Sequence, residues 1–383
     1  MNHAAFWRRL ERRKPEAAMA LGLVRVEHAL NASGRPDVRY PSIIVAGTNG
    51  KGSTCRFVAE ALRLSGYRAG LFASPHVYAP NERIVIDGVA VSEDDLVATL
   101  SRLEQRMSEL TWFELFYLAA AEMFAEASVD IAVFEVGLGG RLDATNATAN
   151  VIATAITTIG LDHTHILGDS LEAIAAEKAG IMRPGIPVVT GVLPAAAAAV
   201  VERRAIELGA PWVVVEDEAD VPELPRWLRR NLALARRIAL EVAPDIDVPD
   251  IRLASQRPPG RWQVLARRPW RIIDGGHNPD GVRAAVAAWQ EICDCTGTLY
   301  LAVPATKNLA GIAAALDDWR GDLVAVERGD GWWSAAELRQ CCGLPSRLAT
   351  LQDARDEFLT GRDHALWLGS LRGLDVFAEA VRR

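Results

Sequence analysis

Short apolar runs alternate with stretches of helical spacing along most of this chain. Residues 18–30 (AMALGLVRVEHAL) place apolar side chains three and four apart, which predicts a helix that Asn31, Ser33 and Gly34 bring to an end. Residues 40–46 (YPSIIVA) form a short apolar run, followed at once by GTNGKGST and a helical pattern over 56–64. That order reads as strand, glycine loop, helix. Residues 67–73 predict a second strand ending at Ser74 and Pro75, and 92–110 and 112–127 predict two helices. A buried-type strand follows at 130–136 (DIAVFEV), ending in a glycine turn over 137–141, and another at 151–159, ending in 161–165. Residues 170–178 predict a helix capped by Gly180, and 187–190 a further strand. Strands alternating with helices in this way imply an α/β fold: a largely parallel sheet with helices on both faces.

The pattern loosens after residue 191. Residues 195–208 form an Ala-rich helix, 216–225 an acidic, proline-bearing surface loop, and 227–242 a basic amphipathic helix whose charges read as a solvated face. Pro244, Pro249, Pro258 and Pro259 make 243–259 a linker. A second series of strands is expected at 262–265, 271–273, 299–303, 323–326 and 365–368. The expected domains are therefore residues 1–255 and 256–383.

Length and composition narrow the class. A chain of 383 residues, 50 % hydrophobic and 24 % charged, has enough apolar material for two domains. A net charge of −7 and a pI near 5.6 argue against a general nucleic-acid binder. No stretch approaches the roughly 18 apolar residues of a membrane span. The opening segment MNHAAFWRRLERRKPEA is basic but lacks the apolar centre of a secretory leader. The expectation is a cytoplasmic protein with no membrane contact. Cys55, Cys293, Cys295, Cys341 and Cys342 have neither a disulfide framework nor zinc-ligand spacing and read as ordinary reduced thiols.

The strongest chemical signal is Gly47-Thr48-Asn49-Gly50-Lys51-Gly52-Ser53-Thr54. Between a strand and a helix, glycines let backbone N–H groups approach phosphates, the helix N-terminus adds positive dipole, and Lys51 adds charge. The spacing departs from G-x(4)-G-K-[ST] by the extra Gly52, and a tight turn is the plainer alternative. Ser74, Glu135, Asp162 and His163 stand at or just beyond strand ends, where open parallel sheets bind ligands. Oxygen and imidazole groups there suit Mg²⁺ bridging phosphates, although a single histidine more often serves structure. Asp143 and Asn146 follow glycines and also fit turn roles. Lys178 sits in an apolar helical segment, where a favourable charge at a helix C-terminus is the plain explanation. Asp274 ends a strand ahead of Gly275-Gly276-His277-Asn278 and holds ribose hydroxyls, orients a catalytic Lys or Arg, or merely shapes the turn. Arg261, in Gly260-Arg261-Trp262, either offers a guanidinium to phosphate or lies exposed beside a core tryptophan.

Taken together and in order, LGLVRVEHAL (21–30), GTNGKGS (47–53), FASPH (72–76), NERIVIDG (81–88), TWFEL (111–115), FEVGLGGRLDATN (134–146), ITTIGLDHTHILGDSLEAIAAEKAGI (156–181), GRW (260–262) and DGGHNP (274–279) resemble the Mur ligase superfamily. Within it the chain resembles the dihydrofolate synthase/folylpolyglutamate synthase family. The resemblance implies an N-terminal P-loop ATPase domain (1–255) and a smaller Rossmann-like domain (256–383), with ATP between them and domain closure assembling the site. It implies an ATP-dependent ligase in which a pterin carboxylate takes the γ-phosphate to give an acyl phosphate, and the amine of L-glutamate then displaces phosphate. Dihydropteroate or tetrahydrofolate would be the acceptor and the protein a monomer.

Matched by position, Gly47, Thr48, Asn49, Gly50, Lys51, Gly52 and Ser53 resemble the cradle for ATP. Ser53, Ser74 and Glu135 resemble ligands of one Mg²⁺, and His163 and Glu135 those of a second. Lys178 matches the lysine that the family carbamylates with CO₂, turning a cation into an anionic metal ligand. Asn231, Arg261, Asp274 and His277 match nucleotide-side positions. Arg83, Asp143 and Ala144 match substrate positions, with residues 21–26 beside the pterin. The intact GGRLDATN leans towards dihydropteroate as acceptor. Four features depart from the family: Leu228 in place of a glutamine three residues before Asn231, VPATKNLAG (303–311) where a D-K-D segment is usual, GSLRGLDVF (369–377) where the family usually ends differently, and a short 210–255 region. A specialised ligase joining an amino acid to another carboxylate is the alternative reading. A non-catalytic relative is disfavoured by the presence of Lys51, Glu135, His163 and Lys178 together.

Overall fold

A computed structural model describes residues 3–13 and 22–381, so the part of the first expected helix at 18–21 lies outside the described residues. The chain divides into two compact units. One runs up to Asp220 and resumes over Arg230–Arg257; the other comprises Val221–Arg229 and the chain from Pro258 onward. Among the described residues, no helix is long and apolar enough to cross a membrane.

The first unit is built on eight strands: β1 (Ser42–Ala46), β2 (Ala69–Phe72), β3 (Ile84–Ile86), β4 (Val89–Ala90), β5 (Ile131–Glu135), β6 (Val151–Ile156), β7 (Val188–Gly191) and β8 (Trp212–Val215). Their order is β4-β3-β2-β5-β1-β6-β7-β8. All neighbours are parallel except β2–β3 and β3–β4. The four central strands are continuous apolar runs, as strands covered on both faces must be. One apolar cluster joins Phe72, Ala132 and Phe134 to the helices Glu93–Arg106 and Trp112–Glu126, with Phe6 and Leu10 of His3–Arg13 packed in. A second joins Ile156 and Val188 to Leu171–Ala179 and Ala195–Leu208. Thr111 and Glu114 form a reciprocal capping box that starts Trp112–Glu126, and Ser170 caps Leu171–Ala179 by accepting from the Ala173 amide.

The second unit carries β9 (Gln263–Arg267), β10 (Trp270–Asp274), β11 (Gly297–Ala302), β12 (Gly321–Glu327), β13 (Ser346–Thr350) and β14 (Ala365–Gly369), in the order β13-β12-β11-β14-β10-β9. Only β9–β10 is antiparallel. Tyr300 and Trp367 stack at 5.6 Å in its core, with Phe358 and Phe377 edge-on to Trp367.

Several expectations are corrected. The first described interior helix is Val24–Ala32, two residues beyond the expected stop at Leu30. Four strands were not expected: β3, β4, β8 and β13. Asp87 (φ 50°) and Gly88 (φ 80°) form the tight turn that folds β3 onto β4, a D-G hairpin signal that the sequence displays openly. The 216–225 loop is not wholly a surface feature, since Ala219, Val221 and Leu224 are buried. The expected linker contains a helix, Asp250–Ala254, whose Leu253 and Ala254 are buried. The basic face of Arg226–Val242 keeps Arg230, Arg236 and Arg237 about half exposed, as a solvated face would, while pairing them with Glu218, Asp250 and Glu241; only Arg229, on Glu291, is largely covered.

Gly180 ends its helix, but not by adopting a left-handed conformation, since its φ is −61°. A Cβ there would lie 2.7 Å from the Arg141 Cα, so glycine is required by close approach of two backbones. Gly180→Ala is expected to lower unfolding stability by about 1–3 kcal/mol through overpacking. A urea titration at constant m-value would measure this, and an unchanged midpoint would refute the packing account.

Candidate active site

The glycine loop lies between β1 and the helix Lys51–Leu64, with Gly50 at the N-cap (φ 87°). A Cβ on Gly47 would fall 1.9 Å from the Thr157 Oγ1, and one on Gly50 would fall 2.5 Å from the Asn231 Oδ1. Both glycines are thus demanded by neighbours as well as by backbone angles. The contact also brings Asn231 of the helix Arg226–Val242 directly against the loop. On its other side the loop is pinned by the segment that follows β6. The Thr48 amide donates to the Thr158 carbonyl at 2.8 Å, and the Thr48 hydroxyl bonds both the Gly160 carbonyl and amide at 3.1 Å. Sequence reading did not single out Thr157 or Thr158.

Two lysines meet on this loop. The Lys51 Nζ donates to the Gly47 carbonyl at 2.9 Å and the Thr48 carbonyl at 3.2 Å. The Lys178 Nζ donates to the same Gly47 carbonyl at 3.0 Å. Lys178 is buried. Burial, and then the positive charge of Lys51, pull its ammonium down to about 7, against the opposing pull of Asp162, Asp143 and Glu177. A helix-terminus charge does not explain this position: the amine is turned inward against a backbone carbonyl. The signal was available in the composition, because this arginine-rich chain contains only four lysines, Lys14, Lys51, Lys178 and Lys307. An amine that must reach its neutral form has to be lysine.

Glu135 ends β5, buried, and one of its oxygens accepts from the Ser74 amide at 2.9 Å. The same oxygen is 3.2 Å from where a Cβ on Gly52 would stand, so the carboxylate faces the first turn of the loop helix. In that turn the Ser53 hydroxyl is buried without a hydrogen-bond partner. An orphaned hydroxyl and one carboxylate are the donor set expected where Mg²⁺ keeps waters and phosphate oxygens for its remaining positions. They do not form an all-protein cage. Among the described residues, no group of three or more His, Cys, Asp or Glu is placed to hold a metal. His163 stands in a left-handed turn (φ 51°) after β6, its amide accepted by Asp162 and its ring 3.9 Å from the same carboxylate oxygen.

The Gly139–Asn146 segment is packed onto the helix bearing Lys178. The Arg141 amide donates to the Glu177 carbonyl at 2.8 Å, and its guanidinium makes two bonds to the Glu177 carboxylate. Asp143 is buried and accepts from the Leu138 amide and from both the amide and hydroxyl of Thr145. Burial raises its carboxyl despite these bonds. The residue therefore shapes the turn, whatever else it contacts, and Ala144 is buried beside it. A Cβ on Gly137 would fall 2.6 Å from the Phe113 ring and 3.2 Å from the Asp143 carboxylate, so an aromatic edge and a carboxylate converge beside this glycine. Phe113 was quoted in TWFEL but not read as a site residue. Arg83 is buried, donates from Nε to the His76 Nδ1 at 2.9 Å and lies 5.3 Å from the Phe116 ring.

In the second unit, Asp274 ends β10 and accepts from the Trp262 amide at 2.7 Å and the Gly276 amide at 2.8 Å. Of the roles left open for it, turn shaping engages both oxygens. Arg261 sits close enough for its charge to oppose the rise that burial causes in the Asp274 carboxyl. The His277 Nδ1 bonds the Gly275 carbonyl at 2.8 Å. Trp262 is a core residue, but Arg261 beside it is half-buried, not exposed as the plainer reading had it.

Residues 45–202 match the Mur ligase middle domain. The chain is 34 % identical over 333 residues to the folylpolyglutamate synthase of Lacticaseibacillus casei, covering 76 % of this chain and 78 % of that protein. It superposes on Escherichia coli FolC in complex with DHPP and ADP at a TM-score of 0.88, with 28 % identity over 99 % of this chain and 97 % of the other. The bifunctional folylpolyglutamate synthase/dihydrofolate synthase of Yersinia pestis, complexed with AMPPNP and Mn, gives 0.87 and 28 % over 100 % and 98 %.

The depressed Lys178 ammonium makes stability depend on pH. From about pH 7 to the ordinary lysine value of 10.5, the unfolded chain holds more protons at this residue than the folded one, so folding stability rises with pH across that window. The wild type is expected to gain up to about 1.4 kcal/mol per pH unit relative to Lys178→Met. Denaturant titrations in CO₂-depleted buffer from pH 6 to 9 would read the difference. Parallel slopes for the two proteins would rule it out.

Proposed function

The chain belongs to the dihydrofolate synthase/folylpolyglutamate synthase family and is an ATP-dependent acid–amino-acid ligase, and we propose that it joins L-glutamate to the carboxylate of dihydropteroate, of a reduced folate, or of both. The observation that carries the site assignment is the convergence of the Lys51 and Lys178 amines on the Gly47 carbonyl, in a loop that faces Glu135 and the orphaned Ser53 hydroxyl.

In this reading the backbone amides of 47–53 cradle the phosphates of ATP, with the helix dipole behind them. Lys51 leaves its loop carbonyls to meet the β- and γ-phosphates, where charge builds as the γ-phosphoryl group transfers. The pterin carboxylate oxygen attacks the γ-phosphorus and ADP leaves. The amine of glutamate then adds to the acyl carbon, loses a proton, and phosphate departs as the amide forms. Ser53, Ser74, Glu135 and His163 would hold Mg²⁺, which screens the phosphate charges and fixes their geometry when bound.

Lys178 has the chemistry for carbamylation. With its ammonium pulled down to about 7 by burial and by Lys51, the amine reaches its neutral form far more readily than an exposed lysine, and only the neutral amine can add to CO₂ and release a proton. The resulting anion would lie close to Lys51, replacing a like-charge contact by an attractive one. Around Gly137, the Phe113 ring and the Asp143 carboxylate suit a flat heterocycle bearing N–H donors, with Ala144 lining the same segment and Arg83 near the His76 loop. Asn231, Arg261, Asp274 and His277 are assigned to the nucleotide. For Asp274 that role is indirect, through the turn that presents Arg261 and His277.

Purified protein given ATP, Mg²⁺, L-glutamate and either 7,8-dihydropteroate or tetrahydrofolate is expected to release phosphate and form a product heavier by one glutamyl unit. Failure with both acceptors while ATP still binds would overturn the pterin assignment. CO₂ depletion is expected to lower the wild-type rate and bicarbonate to restore it. Lys178→Ala should be slower by about a hundredfold or more, the scale of losing a key electrostatic group, and indifferent to bicarbonate. A bicarbonate response in that variant would place the effect elsewhere.

A further inference from the structure

The segment Thr157–Gly160 makes an unusual number of bonds to the glycine loop, and their geometry bears on where the loop amides point. The Thr157 Oγ1 donates to the Asn49 carbonyl at 2.6 Å. The Thr158 Oγ1 donates to the same carbonyl at 3.1 Å and accepts from the Asn49 amide at 3.0 Å. The Thr48 hydroxyl closes the reciprocal pair with Gly160 described above. Two side-chain hydroxyls thus hold one peptide carbonyl, while backbone bonds from Thr48 to Thr158 and from Thr157 to Ala46 fix the frame around it.

We propose that Thr157 and Thr158 are positioning residues for the nucleotide: by holding the Asn49 carbonyl, they aim the Gly50 amide into the phosphate cradle before ATP arrives. The argument follows from the planar trans peptide, in which C=O and N–H point in opposite directions. A carbonyl pulled toward the 157–160 strap turns the following N–H away from it, to the open side of the loop. Without the hydroxyls, that peptide is free to rotate, and binding must supply the ordering that the strap otherwise supplies in advance. The strap also continues into Asp162 and His163, so the loop and the metal-side turn share one anchored stretch of backbone.

The inference rests on the assignment of ATP to this loop, and the test separates the two. Thr157→Val, Thr158→Val and the hydroxyl-retaining Thr157→Ser and Thr158→Ser would be compared with wild type for ADP binding by calorimetry, KM for ATP, KM for the pterin acceptor, and Tm. Absence of ADP binding to the wild type would refute the ATP assignment itself. With that binding present, each valine variant is expected to raise the ADP Kd and the KM for ATP about five- to tenfold, the scale of one buried hydrogen bond. The acceptor KM should stay within twofold, and the serine variants should return to near wild type. Equal rises in both KM values, or a lowered Tm with unchanged ADP affinity, would overturn the positioning role. Failure of serine to restore affinity would also overturn it, by pointing to the threonine methyl. Should one valine variant fail to fold, the other reads the same property, since both hydroxyls bond the Asn49 carbonyl.

Discussion

The parallel register of β2, β5, β1 and β6 is the constraint on which the chemistry of the first unit depends. Because these four neighbours run the same way, Ser74, Glu135, the glycine loop and the Asp162–His163 turn all leave the sheet at its carboxyl end. Sequence distance is cancelled by this arrangement: Ser74 and Glu135 are 61 residues apart and share a hydrogen bond. Apolar burial in two separate clusters holds the ladder rigid, so the site groups need little flexibility of their own. A single backbone carbonyl, that of Gly47, then collects the amines of both Lys51 and the buried Lys178.

The choice between lysine and arginine is informative throughout the molecule. Where a cation bridges elements or pairs with acids, the chain uses arginine: Arg141 on Glu177, Arg229 on Glu291, Arg271 on the backbone carbonyls of Asp363 and Gly361. A planar fork suits those tasks, and a permanent charge does no harm there. At positions 51 and 178 the demands differ. Lys51 needs a compact charge that can move from loop carbonyls to a ligand, and Lys178 needs an amine that can lose its proton while buried.

Much of the fold was legible because buried parallel strands advertise themselves as apolar runs between glycine turns. β1, β5 and β6 were read to within three residues at each end, and Ala195–Leu208 was read at its true bounds. β3 and β4 were missed because three and two residues are too short to display a period, even though β3 is wholly apolar, β13 because its apolar and polar residues are mixed, and β8 because its half-exposed run lies in a stretch left unassigned between the Ala-rich helix and the acidic loop. The short helix Asp250–Ala254, which buries only Leu253 and Ala254, was hidden by the prolines around it, one of which supplies the N-cap. For the site, the glycine loop and its strand-end acids were visible from residue types and spacing. The inward turn of Lys178 and the partnership of Gly47 with Thr157 were not, since both depend on contacts more than 100 residues apart. Asp143 and Asp274 show a related limit. A carboxylate after a strand announces importance, but only coordinates show that its oxygens are already engaged by nearby amides.

The space above Gly47 has a consequence for how this sequence can drift. Thr157 occupies the volume a side chain at 47 would need, and the backbone at 47, with φ near 151°, is one that other residues rarely adopt. Shrinking position 157 would free the volume without removing the backbone strain, and it would release the Asn49 carbonyl as well. Substitution at either position therefore disturbs the other: a side chain at 47 meets the Thr157 hydroxyl, and a change at 157 takes away a bond to the loop it faces.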